Sequence, residues 1–278
     1  MHPNFHFSTV QILWTFTFAA QLVLLVVLLG RDRIKRFPWF TLSIVLMALR
    51  LLASRLLIGR MSNIALSVIF VTMADVFAVV SFLVVVEMAR RAFVPVRRRT
   101  WFLAAFALLT VAGAALYYLG PWPDWKTLTA GSTLATLQLM QLAAQKLDTL
   151  IDILTLQLGL LVVLFGRRYG SGWRTHTQRI VIGLSTASIS QLAVQCILQL
   201  IRLHTVAHSQ AEYDRIMALP DKLFNANGVL YIAVLIWWIA CLWVDEPGTA
   251  SPAELADKNT PHPEYITSEA EGLTESES

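Results

Sequence analysis

Charged residues are scarce in this chain. They make up 14% of its 278 residues, whereas soluble domains carry roughly 25%. Hydrophobic residues make up 56% of the chain. This balance excludes an ordinary water-soluble protein and predicts an all-α integral membrane protein that crosses the bilayer several times.

Cysteine is almost absent, with only Cys196 and Cys241. On the helices predicted below they lie roughly 17 Å apart along the membrane normal, at 1.5 Å per residue. That separation is beyond the reach of a disulfide bond. Both cysteines are therefore expected to be small, buried apolar residues.

Histidine is absent from every predicted span, so haem ligation between helices and a histidine-bound zinc hydrolase in the bilayer have no ligands. The last span has no interior lysine for a retinal Schiff base, and there is no phosphate-binding P-loop. No proline lies inside a predicted span, so the broken helices typical of many transporters are not indicated. We therefore expect no catalytic residue, no metal, no cofactor and no enzymatic activity.

Long apolar segments dominate what is present. Each is about 20 residues long, the length that a bilayer core requires. The predicted spans are 8–29, 38–57, 64–88, 100–118, 146–165, 180–203 and 223–244. They predict a seven-transmembrane helix bundle. A separate short helix is expected before the last span, ending near Leu219 because Pro220 follows.

Basic residues follow alternate spans, which predicts the orientation of the chain. They are Arg31, Arg33, Lys35 and Arg36, then Arg90, Arg91, Arg97, Arg98 and Arg99, then Arg167, Arg168, Arg174 and Arg179. Because basic loops remain in the cytoplasm, the N-terminus is predicted outside and the C-terminus inside. These loops would also attract anionic lipids. The short connections and the lack of glycosylation sequons favour a bacterial inner membrane.

Residues 245–278 form an acidic tail. It holds nine acidic residues and one lysine, which leaves 21 basic and nine acidic residues in 1–244. Four prolines lie among the acids and hydroxyl residues, a composition that predicts a disordered cytoplasmic tail. Two interpretations stay open: a solvating segment, or one that folds back on the basic loops or docks a basic protein partner. Nothing in the chain indicates a nucleic-acid partner, and the oligomeric state is left open.

Polar side chains recur along the fifth span and the residues before it. They are Gln138, Gln141, Gln145, Asp148, Asp152 and Thr155. Steps of three and four residues place all of them on one face of a helix whose pattern begins near Leu134. Carboxylates inside an apolar span are costly and indicate a buried, paired or water-lined site.

The ionisable residues inside the spans match in depth. Asp75 is predicted near the midplane. Arg50 and Asp152 lie about 4–5 Å outward of it. Arg55 and Asp148 lie about 11 Å outward. The match predicts structural ion pairs between Arg50 and Asp152 and between Arg55 and Asp148. The alternative is that these groups form a polar ligand or ion site.

A second polar stripe follows the sixth span. It consists of Ser188, Gln191, Gln195, Gln199 and Arg202. These amides either bond between helices or, with Asn225 and Asn227 nearby, line an outer cavity. The predicted ligand-binding residues are Arg50, Asp75, Asp148, Asp152, Gln191 and Gln195. At the other end of the bundle, Glu87 is one turn before Arg90, which predicts either a helix-end pair or an ionic latch.

Three functions are compatible with these patterns. The favoured one is a receptor or sensor, with a polar ligand pocket in the outer half that signals to a separate cytoplasmic partner. A small-solute or ion transporter is second, because the inner halves of the spans carry few polar groups. A structural subunit of a membrane complex is third, with the polar stripes buried against other chains.

Overall fold

The computed structural model describes residues 9–57, 59–93, 98–118, 133–165, 175–204 and 210–245, and these contain seven α-helices and no strand. The helices are α1 Thr9–Gly30, α2 Pro38–Leu57, α3 Asn63–Ala92, α4 Arg98–Tyr118, α5 Thr133–Phe165, α6 His176–His204 and α7 Gln210–Trp243. The all-helical class is confirmed. The acidic tail after Asp245 lies outside the described residues.

Six of the helices are long and apolar enough to cross a membrane, namely α1, α2, α3, α5, α6 and α7. In α4 the apolar stretch found among the described residues is shorter, Ala107–Tyr117. The chain is thus a polytopic membrane protein by its helices. The count of seven spans and the orientation of the termini stay predictions.

The last helix corrects one prediction. A helix break was expected before Pro220, yet α7 continues through this residue without interruption. Proline removes only one backbone donor, and membrane helices tolerate that loss when the remaining helical bonds persist. The pattern that began near Leu134 is confirmed, because α5 begins at Thr133, well before the span predicted from residue 146.

The connection between α1 and α2 is a tight, hydrogen-bonded turn. Asp32 has a positive φ of 50°, a conformation in which aspartate is among the tolerated residues. The backbone N–H of Arg33 donates to the carbonyl of Leu28 at 2.9 Å, and that of Asp32 donates to Leu29 at 3.2 Å. This pair of bonds is a Schellman motif. Pro38 then begins α2, where its missing N–H costs nothing.

Six helices form a closed ring, in the order α1, α2, α3, α5, α6 and α7, and α7 packs back against α1. Within the described ranges α4 packs against α5 alone, outside this ring, and α3 also contacts α6 across it. We call the end where α1 finishes and α2 begins the inner end, and the opposite end the outer end. The basic loops assign the inner end to the cytoplasm by prediction.

Large apolar side chains fill the ring at its inner end. Five of them are at most 2% exposed: Leu28, Phe40, Met88, Ile180 and Trp238. We call these five residues the apolar seal. The rings of Phe40 and Trp238 meet edge to face at 5.1 Å, a preferred aromatic geometry. The indole N–H of Trp238 donates to the carbonyl of Ile180 at 3.3 Å, which joins α7 to α6.

Two glycines let α6 approach its neighbours closely. A methyl group on Gly183 would collide with the indole of Trp238, and one on Gly159 would collide with the side chain of Ser185. Small residues at such crossings are how membrane helices gain close packing. Both cysteines are free; Cys241 is buried as predicted, but Cys196 is exposed, so the prediction of burial was wrong for that residue.

Candidate functional site

Burial along the polar stripe of α5 changes steadily from the outer end inward. Gln141 and Gln145 are exposed, Asp148 and Asp152 are half-buried, and Thr155 is buried. A stripe that pointed at lipid would stay exposed along its whole length. This stripe instead enters the bundle as it descends, so its carboxylates lie inside and its amides lie near the outer end.

The stripe of α6 shows the same trend and meets that of α5. Ser188 is buried, whereas Gln191 and Gln195 are half-buried. The hydroxyl of Ser188 donates to the Asp152 carboxylate at 2.8 Å. One turn outward, the hydroxyl of Thr149 lies 3.4 Å from the side-chain oxygen of Gln195. The two predicted stripes therefore face each other across the α5–α6 contact.

The amides of α6 also join α7. Asn227 donates from its side-chain nitrogen to Gln191 at 2.8 Å, and its side-chain oxygen accepts from the Ser190 hydroxyl at 2.6 Å. Each oxygen and nitrogen of the Asn227 amide thus has a partner on α6. Satisfied amides of this kind hold neighbouring helices in register, so part of this polar set is structural.

The arginines of α2 are placed differently from the prediction. Asp148 interacts electrostatically with Arg50 and with Asp75, and Asp152 interacts with Asp148. Arg55 lies instead over the indole of Trp14 on α1, 5.0 Å from the ring centroid. Arg50, not the predicted Arg55, is therefore the basic group near Asp148.

Arg50 takes the place predicted for Arg55 because the two side chains leave α2 in different directions. Positions five residues apart are rotated by roughly 140° on a helix, so Arg50 and Arg55 cannot face the same neighbour. The depth estimates compare the heights of residues along the membrane normal. They give no information on the angle of each residue around the helix axis. Within the described residues α2 packs against α1 and α3, and no ion pair within 4.0 Å joins it to α5.

Sequence patterns missed a third polar contact, near the middle of the ring. The hydroxyl of Tyr231 on α7 lies 2.9 Å from the sulfur of Met47 on α2. The side-chain nitrogen of Gln21 on α1 lies 3.5 Å from the same hydroxyl. Gln21 is only 1% exposed. Each helix contributes a single residue here, so no periodic stripe marks the contact in the sequence.

A double-mutant cycle tests the placement of the arginines. We expect Arg50→Gln and Asp148→Asn to be non-additive in thermal unfolding in detergent, with a coupling of about 1 kcal/mol. Arg55→Gln combined with Asp148→Asn is the matched control, and its effects should add. Coupling in the control pair and additivity in the first pair would restore the arrangement predicted from depth.

Similarity to known proteins does not identify a family for this chain. Comparison with protein-family models, with curated proteins and with solved structures finds no significant match. Within the part of the chain that the structure describes, no three histidine, cysteine or acidic side chains are grouped so that they could hold a metal ion.

Proposed function

We propose that the protein is a membrane receptor or sensor. Its ligand is a small polar molecule that enters from the outer end and binds between α2, α3, α5, α6 and α7. Binding is then transmitted to a separate cytoplasmic protein. The observation that carries this proposal is the paired burial gradient of the α5 and α6 stripes, from exposed or half-buried amides to enclosed polar groups.

The residues proposed to contact the ligand are four members of the α5 and α6 stripes and two charged residues of α2 and α3. They are Arg50, Asp75, Asp148, Asp152, Gln191 and Gln195. Carboxylates outnumber basic groups in this set, which favours a ligand with at least one positive charge. Ionisable groups inside a membrane bundle are costly to keep for structure alone, which supports a functional role for them.

The apolar seal supports a receptor over a transporter. A solute that reached Asp152 from the outer end would meet Phe40, Met88 and Trp238 before it reached the inner end, and these side chains are at most 2% exposed. Transport would require the seal to separate during each cycle. A receptor needs only small shifts of packed helices, which sealed and bistable interfaces transmit well.

A ligand screen by thermal shift tests the proposal. The full chain, purified in detergent, is heated with a panel of amino acids, amines, organic acids and inorganic salts. We expect at least one cationic compound to raise the unfolding temperature, because a ligand that binds only the folded state stabilises it. Asp148→Ala should abolish that shift, and Asp221→Ala, an exposed acid of α7, should leave it unchanged.

Other outcomes would favour the other functions. A compound that stabilises the protein and is also accumulated by proteoliposomes would overturn the receptor and favour the transporter. No stabilising compound, together with a partner membrane protein that co-purifies through α5, would favour a structural subunit. Equal loss of the shift in Asp148→Ala and Asp221→Ala would remove the carboxylates of α5 from the binding site.

A further inference from the structure

A cavity of about 350 Å³ lies at the inner end of the bundle, away from the proposed ligand site. It is formed between α6 and α7 and is lined by Arg179, Ile182, Trp237, Ala240, Cys241 and Val244. We call it the α6–α7 crevice. Its volume is within the range of roughly 300–1,000 Å³ that is typical of small-molecule sites.

The wall of the crevice faces outward from the ring. Trp237 is 45% exposed and Val244 is 57% exposed, whereas the next residue, Trp238, points into the seal. On a helix that crosses a membrane, exposed apolar side chains of this kind are surrounded by acyl chains. The crevice is therefore an indentation in the lipid-facing surface, and lipid is the molecule that surrounds it.

Among the lining residues that the structure describes, one cation, Arg179, lies at the end of the crevice near the membrane interface. Arg179 is in the first turn of α6, and Val244 directly follows the end of α7. One guanidinium nitrogen of Arg179 donates to the carbonyl of Cys241 at 3.3 Å. Within the described ranges its other N–H groups have no protein acceptor. An arginine carries five such donors in a planar fork that matches phosphate oxygens.

The tryptophan beside this arginine fixes its position. The indole N–H of Trp237 donates to the backbone carbonyl of Arg179 at 3.2 Å. The two hydrogen bonds, one from the guanidinium and one to the backbone of Arg179, therefore join α6 to α7. Tryptophan is enriched at membrane interfaces because one edge is polar and the rest is apolar. In Trp237 the polar edge bonds to the backbone, so the face of the ring is available to contact an acyl chain.

We propose that the α6–α7 crevice binds one anionic phospholipid, with its phosphate on Arg179 and an acyl chain along Ile182, Trp237 and Ala240. Charge complementarity selects this occupant, because Arg179 is the one charged residue among the described residues of the lining and the other described walls are apolar or weakly polar. A zwitterionic headgroup would bring its own cation close to the guanidinium and bind less well. Three further arginines precede Arg179 in the sequence: Arg167, Arg168 and Arg174.

Native mass spectrometry of the full chain in detergent tests this site. The protein is titrated with phosphatidylglycerol or with phosphatidylcholine of the same acyl chains. We expect one phosphatidylglycerol to bind more tightly than phosphatidylcholine. Arg179→Gln should weaken phosphatidylglycerol binding about tenfold and remove the preference, because the charge-assisted bonds to phosphate are lost.

Two further variants separate charge from shape. Arg90→Gln removes an exposed arginine of α3 that does not line the crevice, and its binding should stay within about twofold of the wild type. Ala240→Trp fills the crevice from an exposed position and should lower the binding of both lipids. The proposal is overturned if Arg179→Gln binds like Arg90→Gln, or if Ala240→Trp binds like the wild type. The site is independent of the outer ligand, so neither result bears on the receptor proposal.

Discussion

Replacement of Trp238 by alanine is expected to destabilise the bundle by about 3 kcal/mol, the lower part of the range for buried tryptophan in soluble cores. The lower part of this range applies because acyl chains of the detergent, not water, surround the tryptophan side chain in the unfolded state. The free energy of its transfer out of water therefore contributes little. What remains is the cavity beside Phe40 and the loss of the indole hydrogen bond to the carbonyl of Ile180. Thermal unfolding in detergent measures the loss.

The neighbouring tryptophan provides the control. Trp237→Ala removes a side chain of the same type from the same helix turn, but from a lipid-facing position that is 45% exposed. It should lower the unfolding temperature far less than Trp238→Ala. Gly183→Ala acts on the seal from the other side, because an added methyl group would collide with Trp238, and overpacking of this kind costs roughly 1–3 kcal/mol. Equal effects of the two tryptophan changes would contradict the existence of a packed seal.

Replacement of Glu87 by alanine is also expected to destabilise the bundle strongly, by about 3 kcal/mol. The Glu87 carboxylate, 6% exposed, pairs with Arg91 at 3.3 Å. It also accepts the backbone N–H of Phe40 at 3.2 Å, with a weaker contribution from the backbone of Trp39. These N–H groups belong to the first turn of α2, which has no internal acceptors for them. Glu87 on α3 therefore caps α2, and its loss leaves buried donors unpaired.

Two variants show which part of the Glu87 interaction matters. Glu87→Gln keeps an oxygen for the Phe40 N–H but removes the charge opposite Arg91, so about 1 kcal/mol is expected. Lys35→Ala breaks the exposed pair with Asp32, in which the lysine is 85% exposed, and should change the unfolding temperature little. If Glu87→Ala is as mild as Lys35→Ala in thermal unfolding, the carboxylate does not cap α2.

The helices themselves were predictable from the sequence, since apolar runs and polar stripes are local patterns. The start of α5 near Leu134 and the single face shared by its polar residues followed from residue spacing alone. The continuation of α7 through Pro220 was not predictable in this way. Whether one missing hydrogen bond ends a helix depends on the packing of the residues around it, which no local rule contains.

Pairing between helices was predictable in part. The α6 stripe was expected either to bond between helices or to line a cavity, and the bond between Ser188 and Asp152 shows that part of it joins α5. The partner of Asp148 was not predictable, because depth carries no information on the angle around the helix axis. Glu87 was expected to pair with Arg90, one turn away. Its contacts are Arg91 and the start of α2, and the second depends on tertiary structure.

The contact between α1 and α7 has a consequence for the synthesis of the chain in the membrane. Gln21 of α1 is nearly fully buried, and its side-chain nitrogen faces Tyr231 of α7, 210 residues later. While the ribosome is still translating the middle of the chain, this amide has no partner from α7 and must find water, lipid headgroups or an insertion factor. The bundle is thus completed only when its final helix is released, and we expect membrane quality control to degrade chains that are truncated before α7.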